Sequence, residues 1–105
     1  MGRALDRIRS MSTKAEKLHL SKLAEFGCIA CYVQGTPGTP AEIHHIRDGV
    51  GMAQRSSHFD AIPLCPMHHR GTEGIDVPSI HMSKFDFIAK FGTERELLEL
   101  VKAQI

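Results

Sequence analysis

Apolar positions recur first with the spacing of a helical face, at Leu18, Leu20, Leu23, Ala24 and Phe26. Thr13 and Glu16 stand ahead of them as a T-x-x-E capping box and Gly27 follows as a stop, so the pattern predicts a helix over 13–26. "CIAC" then reads as a tight knuckle, and "QGTPGTP" as a short loop whose prolines and glycines suit turns. "AEIHHI" reads as a strand, "RDGVGMAQRSS" as a second loop and "FDAIPLC" as a second extended piece. Pro66 fits the first helical position, which leaves Cys65 at the cap of a short helix through 66–70. After the loop "GTEGIDVPSIH", residues 82–91 predict a short helix ended by Gly92. Thr93 and Glu96 form another capping box and open a terminal helix carrying Leu97, Leu98, Leu100 and Val101. Residues 1–12 are polar and basic, and are expected as a loose segment ahead of a single domain over 13–105.

A chain of 105 residues is one small domain with a modest core, which a structural metal would help. The formal net charge of +1 gives no overall basic signature, but the charge is uneven. Arg3, Arg7, Arg9, Lys14, Lys17 and Lys22 outnumber Asp6, Glu16 and Glu25 near the start, while residues 73–105 lean acidic, so a local basic face is expected. No apolar run reaches membrane-spanning length and no signal-peptide pattern opens the chain, so a cytoplasmic protein without membrane contact is expected. The three cysteines, two of them in a C-x-x-C pair, fit metal ligation in a reducing compartment better than a disulfide framework. Tryptophan is absent and tyrosine occurs once, which argues against an aromatic platform for single strands.

Histidine is the outlier, with six of seven lying between His44 and His81. Cys28-x-x-Cys31 and Cys65-x-x-His68 form two pairs, each able to bite one ion; the second does so because the i, i+3 spacing puts both side chains on one helix face. Together they make Cys3His, a tetrahedral zinc set with no open position. His68 and His69 both lie within about 60° of Cys65 around the helix axis, so geometry alone does not choose between them. The symmetry of the two spacings favours His68 and leaves His69 to face a second site shared with the "IHHI" strand. On that strand His44 and His45 point to opposite faces, so two different tasks, one ligand and one base, are the economical reading.

The order C-x-x-C, "EIHHI", a glycine-containing loop and "IPLCPMHH" resembles the HNH endonuclease superfamily over about residues 28–81. More narrowly, "AEIHHI…AIPLCPMHHRG…GIDVPSIHMSKFDFIAKFG" is similar to the phage recombination-enhancement-function nucleases. The resemblance implies an α+β fold: a small zinc-stabilised ββα-metal core flanked by N-terminal and C-terminal helices. It implies that His45 is the general base, that His44 and His69 bind the catalytic metal, and that His81 is a further ligand or phosphate contact. Asp60 stands where many members carry an asparagine that orients the base, and His58 stands where the narrower branch has aspartate. Arg47, Arg55 and Arg70 flank the histidines and are the natural phosphate contacts.

The expected function is metal-dependent hydrolysis of DNA with little sequence preference. It would use a structural Zn²⁺ and a catalytic divalent ion drawn from Mg²⁺, Mn²⁺, Zn²⁺ or Ni²⁺. Relatives of the narrower branch act with a RecA-type recombinase filament, which is therefore an expected partner. The competing reading is a zinc-stabilised DNA- or protein-binding module without catalysis, which leaves His44, His45 and His69 without a joint task. A metallopeptidase is excluded by the lack of H-E-x-x-H.

Overall fold

The structure is a computed structural model and describes residues 13–47, 57–72, 74 and 76–105. The basic segment 1–12 and Arg55 lie outside the described residues. Among those described, five helices and one two-stranded sheet make a small α+β fold: α1 (Lys14–Phe26), α2 (Ile29–Val33), β1 (Glu42–His45), β2 (Ala61–Leu64), α3 (Pro66–His69), α4 (Lys84–Phe91) and α5 (Glu94–Gln104).

Both expected capping boxes form. Thr13 Oγ1 accepts from Glu16 N–H and Thr93 Oγ1 from Glu96 N–H, each at 3.1 Å, while each glutamate reaches back to the cap residue's N–H. The "CIAC" knuckle closes into one helical turn, α2, because Cys28 Sγ caps it by accepting the N–H of Cys31 at 3.4 Å. Gly27 before it has φ +88°, and a side chain there would come within 2.8 Å of the Thr39 carbonyl. That close approach lets Cys28 N–H donate to Thr39 at 2.9 Å and folds the 35–39 loop back over the knuckle.

β1 and β2 pair antiparallel with His44 opposite Ile62 and Ile43 opposite Pro63. Ile46 N–H donates to the Asp60 carbonyl. Counting in steps of two from that bonded pair puts Ile43 and Pro63 at a non-bonded position, where a missing N–H costs no ladder bond. Pro66 at the helix start and Cys65 at the cap are as the sequence predicts. The fourth helix starts two residues later than predicted, at Lys84, because residues 79–83 form their own turn. In it Ser79 N–H donates to Ser83 Oγ and Met82 N–H to Ser79 Oγ.

The core lies between the hairpin and the helices that cover it. Leu23, Ile29, Ile46, Ile62, Leu64, Phe87, Leu97, Leu98 and Val101 are all essentially inaccessible. α1 and α5 pack on β2, and α3 packs on both strands. One consequence matters for chemistry: the C-terminal helix pair is not an appendage, because it closes over the hairpin and delivers its first turn to the end of β1.

Candidate metal centres

Two groups of metal-ligating side chains stand out among the described residues, and they differ in burial and in partners. The first is Cys28, Cys31, Cys65 and His68, all buried. Cys31 Sγ lies 3.9 Å from Cys65 Sγ, and His68 Nδ1 lies 3.6, 3.5 and 3.2 Å from the sulfurs of Cys28, Cys31 and Cys65. A zinc tetrahedron with Zn–S of about 2.3 Å and Zn–N of about 2.0 Å has S–S edges of ~3.8 Å and S–N edges of ~3.5 Å, so the donor set fits zinc. The imidazole in this group is that of His68, the choice the spacing favours.

Burial pushes the Cys28 thiol up to about 12, a value that bound zinc reverses by stabilising the thiolate. Burial, aided by Lys90, holds the His68 imidazole below its ordinary value, as suits a neutral ligand. The Gln34 side-chain amide places its Nε2 3.2 Å from His68 Nε2, and amide nitrogen and oxygen interchange by a half-turn of the group. With its oxygen turned inward it accepts that N–H and leaves Nδ1 for the ion. Phe91 packs edge-on to the same ring at 5.0 Å.

The second group is His44, His69 and His81, whose ligand atoms lie within 4.8 Å of one another. Three elements deliver them. β1 supplies His44 and the last residue of α3 is His69. His81 is placed by main chain: Ile80 N–H donates to the His68 carbonyl at 2.8 Å and His81 N–H to the His69 carbonyl at 3.2 Å, so the 80–81 segment satisfies carbonyls left open at the end of α3. Gly71 permits this approach, since at φ +76° a side chain there would sit 2.5 Å from Ser79 Oγ.

Two carboxylates back the imidazoles. Glu94 Oε2 is 2.6 Å from His44 Nε2, and Glu42 Oε1 is 2.9 Å from His69 Nδ1. The hydrogen bond to His44 holds the Glu94 carboxyl below the usual range, and the bond to His69 does the same for Glu42. Burial, together with the charges of His69 and His44, lowers His81. A three-imidazole set suits zinc or nickel, and three protein donors leave a coordination position open.

His45 stands beside this group with a different partner. Its Nε2 lies 2.8 Å from His58 Nδ1, and burial, then the neighbouring His58 and His44, hold the His45 ring below its ordinary value. Asp60, expected to orient this ring through the family resemblance, instead places its carboxylate 3.3 Å from Arg95. The register explains the exchange: His45 faces Ala61, and the turn ahead of β2 swings His58 back over the strand end. A cleft of about 660 Å³ joins these parts, lined by His44, His45, His69, His81, Arg47, Lys84 and Glu94 together with Ile43 and Ile80. Arg47 is thus at the cleft, whereas Arg70 makes two contacts with Glu42, at 3.1 and 2.9 Å.

Sequence reasoning missed Glu42, Glu94, Gln34 and Lys84. Glu42 had a signal, since two residues before His44 on a strand is the same face. Glu94 had none, being 50 residues away from His44.

Among the described residues no helix is long and apolar enough to cross a membrane. A comparison with curated proteins returned no match. The model of one family, described as recombination enhancement, RecA-dependent nuclease, matches residues 12–105. With nearly the whole chain matched, and both histidine groups inside the matched span, this protein belongs to the family of recombination-enhancement, RecA-dependent nucleases.

Proposed function

We propose that the chain is a metal-dependent DNA endonuclease of the HNH, or ββα-metal, type, with residues 13–105 as the nuclease domain. The observation that carries this reading is the convergence of His44, His69 and His81 in the same cleft as a separately held imidazole, His45. The order β1, β2, α3 agrees with the ββα arrangement. The closed Cys3His set serves structure, because four protein donors leave no position for a substrate.

His44, His69 and His81 would hold a divalent ion, which when bound would supply Lewis acidity toward the scissile phosphate and the leaving oxygen. His45 does the proton transfer. With its Nε2–H donated to His58 Nδ1, the lone pair on Nδ1 is available to take the proton of the attacking water. The lowered basicity keeps this ring neutral, and therefore competent, at neutral pH. His58 serves as the orienting partner, the task that the family resemblance assigns to the Asp60 position. Arg47 and Lys84 bind the phosphodiester from the cleft wall. We assign these cations to the phosphodiester backbone, whose contacts carry no sequence information, so little sequence preference follows.

DNA as substrate and a RecA-type filament as partner rest on the family's description, and they imply action in the bacterial cytoplasm. The test is nicking of plasmid and of recombinase-coated DNA after a mild chelation that leaves one zinc per chain in the Cys3His site, with Mg²⁺, Mn²⁺ or Zn²⁺ added back. Cleavage that returns with the ion supports the reading. One tightly held zinc per chain with no nicking under any of these conditions supports the binding-module reading instead.

A further inference from the structure

The proposed second centre draws one side chain from outside the ββα core. Glu94 is the first residue of α5, and its Oε2 approaches His44 Nε2 to 2.6 Å. Both partners are nearly enclosed, the side chains being 10% and 11% exposed. Its other oxygen, Oε1, lies 3.5 Å from Lys84 Nζ, so the carboxylate is held at both oxygens. Its place in the first turn of α5 adds the favourable end of the helix dipole. Glu94 is also absent from the group of ligand atoms within 4.8 Å that His44, His69 and His81 form. No oxygen of Glu94 therefore joins all three imidazoles within that distance, and its short contact is with His44.

An ionised carboxylate only accepts hydrogen bonds, so the hydrogen in this pair is on the imidazole. The geometry points to Glu94 as the positioning residue of the second centre: it holds His44 with its proton on Nε2, so that Nδ1 is the nitrogen presented to a divalent ion. Glu42 does the converse to His69, engaging Nδ1 and leaving Nε2. The two rings are thus locked through opposite nitrogens, and α5 reaches the centre through one short bond. This inference rests on the proposed reading of His44 as a ligand.

The experiment uses the full chain with zinc in the Cys3His site, comparing wild type, Glu94→Gln and His44→Ala. Long-range ¹H–¹⁵N spectra of the histidine rings report the tautomer of His44, and calorimetric titration with Mn²⁺ reports the second centre. Wild type should show His44 protonated on Nε2 with a bare Nδ1. Glu94→Gln should mix the two tautomers and weaken Mn²⁺ binding by about 10–100-fold, the usual effect of removing an outer carboxylate from a ligating histidine. A merely structural role for Glu94 would leave the tautomer unmoved. His44 protonated on Nδ1 in wild type, or a tautomer and Mn²⁺ affinity unchanged in Glu94→Gln while His44→Ala loses binding, overturns the role of Glu94 alone. Unchanged Mn²⁺ affinity in His44→Ala overturns the metal centre and the inference together.

Discussion

Replacing Cys28 with alanine removes more than one zinc ligand. Cys28 is wholly inaccessible, its sulfur lies 3.6 Å from His68 Nδ1, and the same sulfur caps α2. Losing the cap costs about 1 kcal/mol by comparison with other N-cap substitutions. The ion matters more. Structural zinc contributes about 10–16 kcal/mol to the folding of small zinc domains at neutral pH. The whole stability of a domain this size is about 5–15 kcal/mol. If losing one of four ligands forfeits a quarter of the metal's contribution, the loss is about 2.5–4 kcal/mol, and with the lost cap it exceeds ~3 kcal/mol. At about 4–8 °C per kcal/mol, that lowers the melting temperature by at least ~12 °C, or leaves no cooperative transition. The assay is far-ultraviolet dichroism with heating, alongside a zinc count per chain, for Cys28→Ala and for wild type with and without chelator. Chelated wild type should be destabilised at least as far as the variant, because it loses the whole contribution of the ion and not a quarter of it. A Cys28→Ala protein that melts like wild type and is indifferent to chelation would falsify the assignment of this group as the structural zinc site.

Gly71→Ala should destabilise by roughly 1–3 kcal/mol, since it forces an L side chain to positive φ against Ser79. It should also weaken Mn²⁺ binding, because Ser79 anchors the turn that carries His81; a melt and a Mn²⁺ titration check both. At saturating metal, the acidic limb of the single-turnover rate should lie below the ordinary imidazole value, because a general base must be neutral and burial lowers His45; a limb above that value rejects His45 as the base. Deleting residues 1–12, with Arg3, Arg7 and Arg9, should weaken DNA binding and flatten its salt dependence while leaving cleavage by bound enzyme intact; an unchanged salt slope removes the segment from the binding surface.

Local pattern carried most of the fold. T-x-x-E twice, glycine stops and Pro66 each act within a turn of chain, and the helices begin or end where these signals stand. The one knuckle that became a helix did so through a sulfur cap that the spacing C-x-x-C already contains. The Cys3His set was legible for the same reason, since each ligand pair is local and only the meeting of the pairs is tertiary. Strand alternation accounts for the different partners of His44 and His45, Glu94 and His58, although both side chains line one cleft. The supporting carboxylates and His58 were not legible to the same degree. Glu94 meets His44 only because Phe87, Leu97, Leu98 and Val101 dock α4 and α5 into the core beside the hairpin. His58 reaches His45 through a turn whose course no period announces, whereas Asp60 was expected there through the family resemblance alone.

The claim at the centre of this account is that neighbouring histidines on β1 do different work. It is tested most directly by DNA nicking across a metal titration for His44→Ala and His45→Ala, each with the fold and the structural zinc verified. Excess divalent ion should partly restore cleavage by His44→Ala. His45→Ala should stay roughly 10²–10⁴-fold slow at every metal concentration, the usual worth of a positioned base. Rescue of His45→Ala but not of His44→Ala would reverse the two roles, and wild-type rates in both would contradict an active site on this strand.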